Sequence, residues 1–144
     1  MVRTVGITFE YARFLARRLR NWDLELAIDM VIADLNVPAN SMGYHYLKTA
    51  IALCYEDPAR LLLSDVYVEA GKRYTAKASY KQVEQQIRHV ISIAWEDRDD
   101  EVWQMVFRPN RDGEIEKPSN SKFLYQMVGF LQMLRRVIKE GLYD

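Results

Sequence analysis

"SYKQVEQQIRHVISIAW" (79–95) concentrates side chains that could do recognition chemistry. Gln85 and Arg88 stand on it, with Lys81, Gln82, His89 and Ser92 close by. Gln and Arg have the bidentate hydrogen-bonding geometry that matches adenine and guanine edges in the major groove of DNA. From Gly71 to His89 the cations Lys72, Arg73, Lys77, Lys81 and Arg88 face a single acid, Glu84, a local net charge of +4. Such a patch would attract phosphates, with binding that weakens steeply as salt rises. A helix with Gln, Lys and Arg outward is also ordinary solvated surface, and these residues alone leave both readings open.

The other candidate chemistries are weaker. His45 and Cys54 would suit a thiol–imidazole pair, but nine residues on one helix rotate the chain by about 900°, which sets them on opposite faces. Cys54 reads as a buried structural residue. Asp97, Asp99, Asp100 and Glu101 could approach a metal, but they fit better as an acidic cap at the start of a following helix. There is no glycine-rich phosphate loop, no paired cysteines and no His-Glu-x-x-His pattern. The expectation is a protein that is not an enzyme and uses no metal or cofactor.

The element that must position Arg88 and the glutamines is a helix. With Val83 at zero and about 100° per residue, Ile87, Val90, Ile91 and Ala94 all lie within roughly 80° of it. That stripe is core. Lys81, Gln85, Arg88, His89 and Ser92 form the opposite face, with Gln82 at its edge and Glu84 nearer the core boundary. Ser79 is placed to cap the first turn. "DVYVEAGKRY" predicts a shorter helix ahead of it, joined by the turn "TAKAS", so the pair has the helix-turn-helix pattern.

The rest of the chain is also helical in pattern. Phe9, Ala12, Leu15, Ala16 and Leu19 predict a short basic helix ending near "RRLRNW". Leu24, Ala27, Ile28, Val31, Ile32 and Leu35 predict a second, capped by Asn21 or Asp23. "YHYLKTAIALCY" predicts a buried helix after the break "NVPANSMG", and Phe123, Met127, Phe130, Leu131, Leu134 and Ile138 a long final one. "RPNRDGEIEKPSNS" (108–121) predicts a loop or a small hairpin. Strand-like alternation is nearly absent. The fold class expected is all-α, a compact multi-helix domain with a central helix-turn-helix.

Composition bounds these readings. The chain has 144 residues, enough for one domain with a sizeable core. At 49% hydrophobic and 28% charged, it is globular in composition and not disordered. Its formal net charge is zero, so any nucleic-acid argument rests on local clustering. A single cysteine excludes an intrachain disulfide, and no stretch suggests a signal peptide or a membrane span, so a cytoplasmic location is expected.

Three blocks in order, "NVPANSMGYHYLKTAI" (36–51), "QVEQQIRHVISIAW" (82–95) and "KPSNSKF" (117–123), resemble the DNA-binding effector domain of the stage-zero sporulation protein A, the response regulator that starts endospore formation. The resemblance runs from about Trp22 to Arg136, and is most specific at Ile87, Arg88, His89 and Ala94–Trp95. It implies a DNA-binding domain over 22–144, with 1–21 as a basic helical extension. It also implies a transcription regulator, associated with the bacterial nucleoid, that binds promoter boxes in double-stranded DNA, often as tandem dimers. By that register Arg88 matches a base-contacting arginine and Glu84 a glutamate that reaches the groove. Gln85 stands where relatives carry a base-reading arginine, and Gln82 also replaces an arginine. Lys72, Arg73, Lys77 and Lys81 are then the expected phosphate contacts, while Lys117 and Asn120 fall at cap and packing positions of the last helix. The turn "TAKASY" is about two residues longer than in those relatives. "MVRTVGITFEYARFLARRLR" stands where the full-length regulator has its receiver domain, so the chain is either a piece of a longer protein or a stand-alone member. The extension would pack on the domain, hold a dimer, or add phosphate contacts through Arg17, Arg18 and Arg20. The rival expectation is an interaction module that pairs with a related regulator and has lost DNA binding.

Overall fold

The computed structural model describes residues 2–59, 62–75 and 77–143, with side chains from Gly6 onward. Ala76, in the expected turn "TAKAS", lies outside the described residues. Those residues form seven helices and no strand: α1 (Val2–Leu19), α2 (Leu24–Asp34), α3 (Met42–Glu56), α4 (Leu63–Lys72), α5 (Tyr80–Glu96), α6 (Asp100–Val106) and α7 (Asn120–Lys139). The all-α expectation holds.

Local signals set most of the boundaries. Asp23 caps α2 by accepting from the Leu26 amide at 3.1 Å, which resolves the choice between Asn21 and Asp23. At the other end of α2, Asn36 takes φ 66°. The Val37 amide then reaches the Ile32 carbonyl and the Asn36 amide the Ala33 carbonyl, a Schellman closure. Asp99 caps α6 and Asp100 pairs with Arg98 at 2.8 Å, so the acidic run acts at a helix start. The 108–121 segment is a loop as far as residue 119, and its last two residues begin α7. Its one tight turn is held by Asn110, whose Oδ1 accepts from the Asp112 and Glu114 amides.

The first helix is longer than expected, with 18 residues. Within it Tyr11, Ala12, Leu15 and Ala16 join the core. Tyr11 stacks on Phe130 at 5.3 Å and donates to Asp34 Oδ2 at 2.6 Å. Burial, with Asp34 beside it, raises the Tyr11 phenol's pKa. Cys54 is half-buried rather than buried.

One core spans all seven helices. At its centre Trp103 is fully buried, stacks on Phe107 at 4.9 Å and donates its indole N–H to the Leu35 carbonyl at 3.2 Å. α3 lies against α2, α4, α5 and α7, and so forms the bed on which α5 rests. α1 packs on α7, α6 and α2.

Candidate nucleic-acid interface

Helix α5 divides as its periodicity requires. Val83, Ile87, Val90, Ile91 and Ala94 are all buried, while Lys81, Gln82, Gln85, Gln86, Arg88 and His89 are exposed and Ser92 is half-buried. A capping box starts the helix: Ser79 Oγ accepts from the Gln82 amide at 3.2 Å, and Gln82 Oε1 accepts from the Ser79 amide at 2.9 Å.

Two close backbone approaches hold α5 in place. A Cβ on Gly43, in the first turn of α3, would lie 2.5 Å from Val90 Cγ1 and 2.6 Å from the Gln86 carbonyl oxygen. A Cβ on Gly71, at the end of α4, would lie 3.1 Å from Val83 Cγ2. Glycine at these two sites therefore lets α3 and α4 come within backbone distance of α5. The connection 73–79 is tied back at Tyr74, whose hydroxyl lies 3.0 Å from Thr49 Oγ1.

The expected phosphate contacts lie together. Lys72 ends α4, Arg73 and Lys77 lie in the connection, and Lys81 is in the first turn of α5. All four are exposed, and none forms an ion pair among the described residues. The three expected base contacts lie one turn further on. Gln85 is exposed and makes no hydrogen bond to a described residue. Arg88 and Glu84 pair with each other instead, Nη2 to Oε1 at 2.8 Å, with side chains 60% and 34% exposed.

A third element meets this face. Asn120, at the start of α7, donates from Nδ2 to the backbone carbonyl of Glu84 at 3.0 Å. Its packing role is thus a direct tie to α5, and the cap of α7 is Ser119, which accepts from the Lys122 amide. Tyr67, Glu84, Arg88, Lys117 and Asn120 line a cleft of about 550 Å³ between α4, α5 and α7. Burial raises the Tyr67 phenol's pKa there; the Glu84 carboxylate adds to the rise, and the Asn120 hydrogen bond opposes it. Spacing alone gives no sign of the Asn120 tie, because it joins residues 36 apart.

Elsewhere the candidates stay apart from this face. Arg17 donates to the Tyr143 carbonyl at 3.1 Å and Arg18 stacks over Phe14, both on α1. Among the described residues no three His, Cys, Asp or Glu side chains are placed to hold a metal, and no helix is long and apolar enough to cross a membrane.

A family model described as "Sporulation initiation factor Spo0A C terminal" matches residues 28–131, most of the chain. That family is one of DNA-binding regulator domains, not of enzymes. The match starts inside α2 and ends inside α7, so it contains the whole α4–α5 face and leaves α1 outside.

Proposed function

The chain belongs to the family of sporulation initiation factor Spo0A C-terminal domains, and we propose that it is a sequence-specific DNA-binding regulator of transcription. Residues 22–144 form the DNA-binding domain, and α4 with α5 acts as its helix-turn-helix, α5 lying in the major groove. Glu84, Gln85 and Arg88 meet bases, and Lys72, Arg73, Lys77 and Lys81 meet phosphates. One observation carries this reading: α5 exposes a polar face, and the stretch from the end of α4 through the first turn of α5 carries four exposed cations with no ion pair among the described residues, in a chain whose net charge is zero. So few base contacts make a weak monomeric reader, and two copies on repeated half-sites supply the missing affinity. Residues 1–21 serve as a packing extension, supported by the burial of Ala12, Leu15 and Ala16.

The test is selection from a random duplex library, followed by binding at two salt concentrations. An enriched promoter-like box is expected, with affinity falling by a log–log slope of about 0.9 for each phosphate contacted. Arg88→Ala should weaken the preference. If no sequence is enriched and Arg88→Ala changes nothing, the protein is an interaction module that pairs with a related regulator.

A further inference from the structure

Not every polar side chain on α5 is free to read. Gln82 carries the right group, but its amide oxygen is held by the Ser79 N–H at 2.9 Å. Bidentate reading of adenine needs both an amide acceptor and an amide donor. That oxygen has a second lone pair, but the bond ties the side chain to the helix start, so Gln82 is free to turn its full amide edge to a base only by giving up the cap. Arg88 has one N–H committed to Glu84, and the carboxylate offsets its charge. Gln85, Gln86 and His89 make no hydrogen bond to a described residue, and with Gln82 they line one notch in the exposed face. Gln85 and His89 are four apart and so are neighbours on the helix surface, and the Gln86 backbone lies against Gly43 of α3.

We propose that the box is read mainly by this ridge of Gln85, Gln86 and His89, with an adenine opposite Gln85, and that Gln82 serves as a structural cap and not a reader. The inference rests on the DNA-binding reading. Gln85 is the centre of the ridge, because its amide is exposed and presents donor and acceptor together. A glutamine amide in the major groove pairs with adenine N6 and N7, and its acceptor oxygen meets only another acceptor at guanine O6. Gln86 and His89 set the preference at flanking positions by single hydrogen bonds. The ridge holds no Lys or Arg, so the salt dependence comes chiefly from Lys72, Arg73, Lys77 and Lys81.

The experiment is library selection with the wild type and with Gln85→Arg, Gln85→Ala, Gln86→Ala, His89→Ala and Gln82→Ala. All four positions are exposed, and far-ultraviolet circular dichroism checks that each of the five variants is folded. The wild-type box should hold an adenine whose replacement costs about 5- to 150-fold in affinity. Gln85→Arg should convert that one position to guanine, and Gln85→Ala should erase it. Gln86→Ala and His89→Ala should each broaden a neighbouring position, while Gln82→Ala should lower stability and leave the box unchanged. A box that survives Gln85→Arg and Gln85→Ala intact overturns the inference, as does one that changes with Gln82→Ala instead. Wild-type selection that enriches no box sinks the DNA-binding reading itself, and this inference with it. Those failures are distinguishable, because the first two still yield a box.

Discussion

Gly43→Ala is a sensitive probe of how α5 is seated. The added Cβ would lie 2.5 Å from Val90 Cγ1 and 2.6 Å from the Gln86 carbonyl oxygen, against 3.4–4 Å for ordinary contact. Val90 is fully buried and the oxygen is helix backbone, so neither can rotate away cheaply. The first turn of α3 and the middle of α5 must therefore move apart by roughly 1 Å, which opens packing around Val90. Overpacking of this kind costs about 1–3 kcal/mol, and the rigid backbone obstacle places this case near the upper end. For a chain of about this size each kcal/mol lowers Tm by roughly 2–4 °C, so a fall of about 5–10 °C is expected. Gly129→Ala is the control: nothing lies within 4 Å of its Cβ, it sits inside α7, and it should gain about 0.5–1 kcal/mol. Urea and thermal unfolding of the two variants and the wild type give the order directly. Gly43→Ala as stable as the wild type would refute the close approach of α3 to α5, and with it the seating of the candidate reading face.

Other outcomes follow from single contacts. Ser79→Ala should cost about 1 kcal/mol in urea unfolding, because it removes half of the capping box of α5. Trp103→Phe should cost about 1–3 kcal/mol beyond lost packing, because the buried Leu35 carbonyl loses its donor; equal stability would count against that bond. Asn120→Ala should lower DNA affinity more than it lowers Tm, since it frees the Glu84 turn of α5 from α7; an unchanged affinity would show the tie to be structural only. Burial and the hydrogen bond to Asp29 raise the Tyr44 phenol from 10.0 to about 12. The folded state then holds the proton more tightly, so this stability is fully present below pH 10 and is lost as pH rises toward 12. Tyr44→Phe should flatten that alkaline decline in Tm, and an unchanged slope would remove Tyr44 as its source.

The sequence made some of this legible because the physics is local. The buried stripe of α5 follows from the 100° rotation per residue, and Val83, Ile87, Val90, Ile91 and Ala94 are all buried as that rotation requires. Asp23 and Ser79 cap because each stands just before an apolar repeat. α1 runs from Val2 to Leu19, so it begins before the apolar repeat that starts at Phe9. What stayed hidden depends on distant partners. Gly43 faces Val90 across 47 positions, and nothing near Gly43 signals that a helix lies against it. Asn120 reaches the Glu84 carbonyl only once α7 is docked. The four-residue offset of Glu84 and Arg88 permits their pairing, and the structure makes it. The residue roles at DNA came from a family register, because helix periodicity separates a polar face from a core without saying what the polar face meets.

The pairing of Glu84 with Arg88 also bears on how much sequence information the domain can extract. An exposed ion pair of this spacing is worth about 0.3–0.5 kcal/mol, so DNA can break it at little cost. The pair therefore cannot act as a lock against binding. It can hold Arg88 in one rotamer beside Gln85, which reduces the side-chain entropy lost when a base is met. Gln82 sits on the other side of the balance. Its cap is worth about 1 kcal/mol, similar to the least a good base contact gives, so releasing it to read DNA gains little. A helix with Gln85 at the centre of its proposed readers, Gln86 and His89 beside it, one pre-oriented arginine and one committed glutamine would discriminate by only a few kcal/mol. In the proposed reading, doubling that discrimination through a second copy on an adjacent half-site is the physical reason to expect tandem binding, and the exposed cations at 72, 73, 77 and 81 would supply the sequence-independent affinity that lets both copies settle.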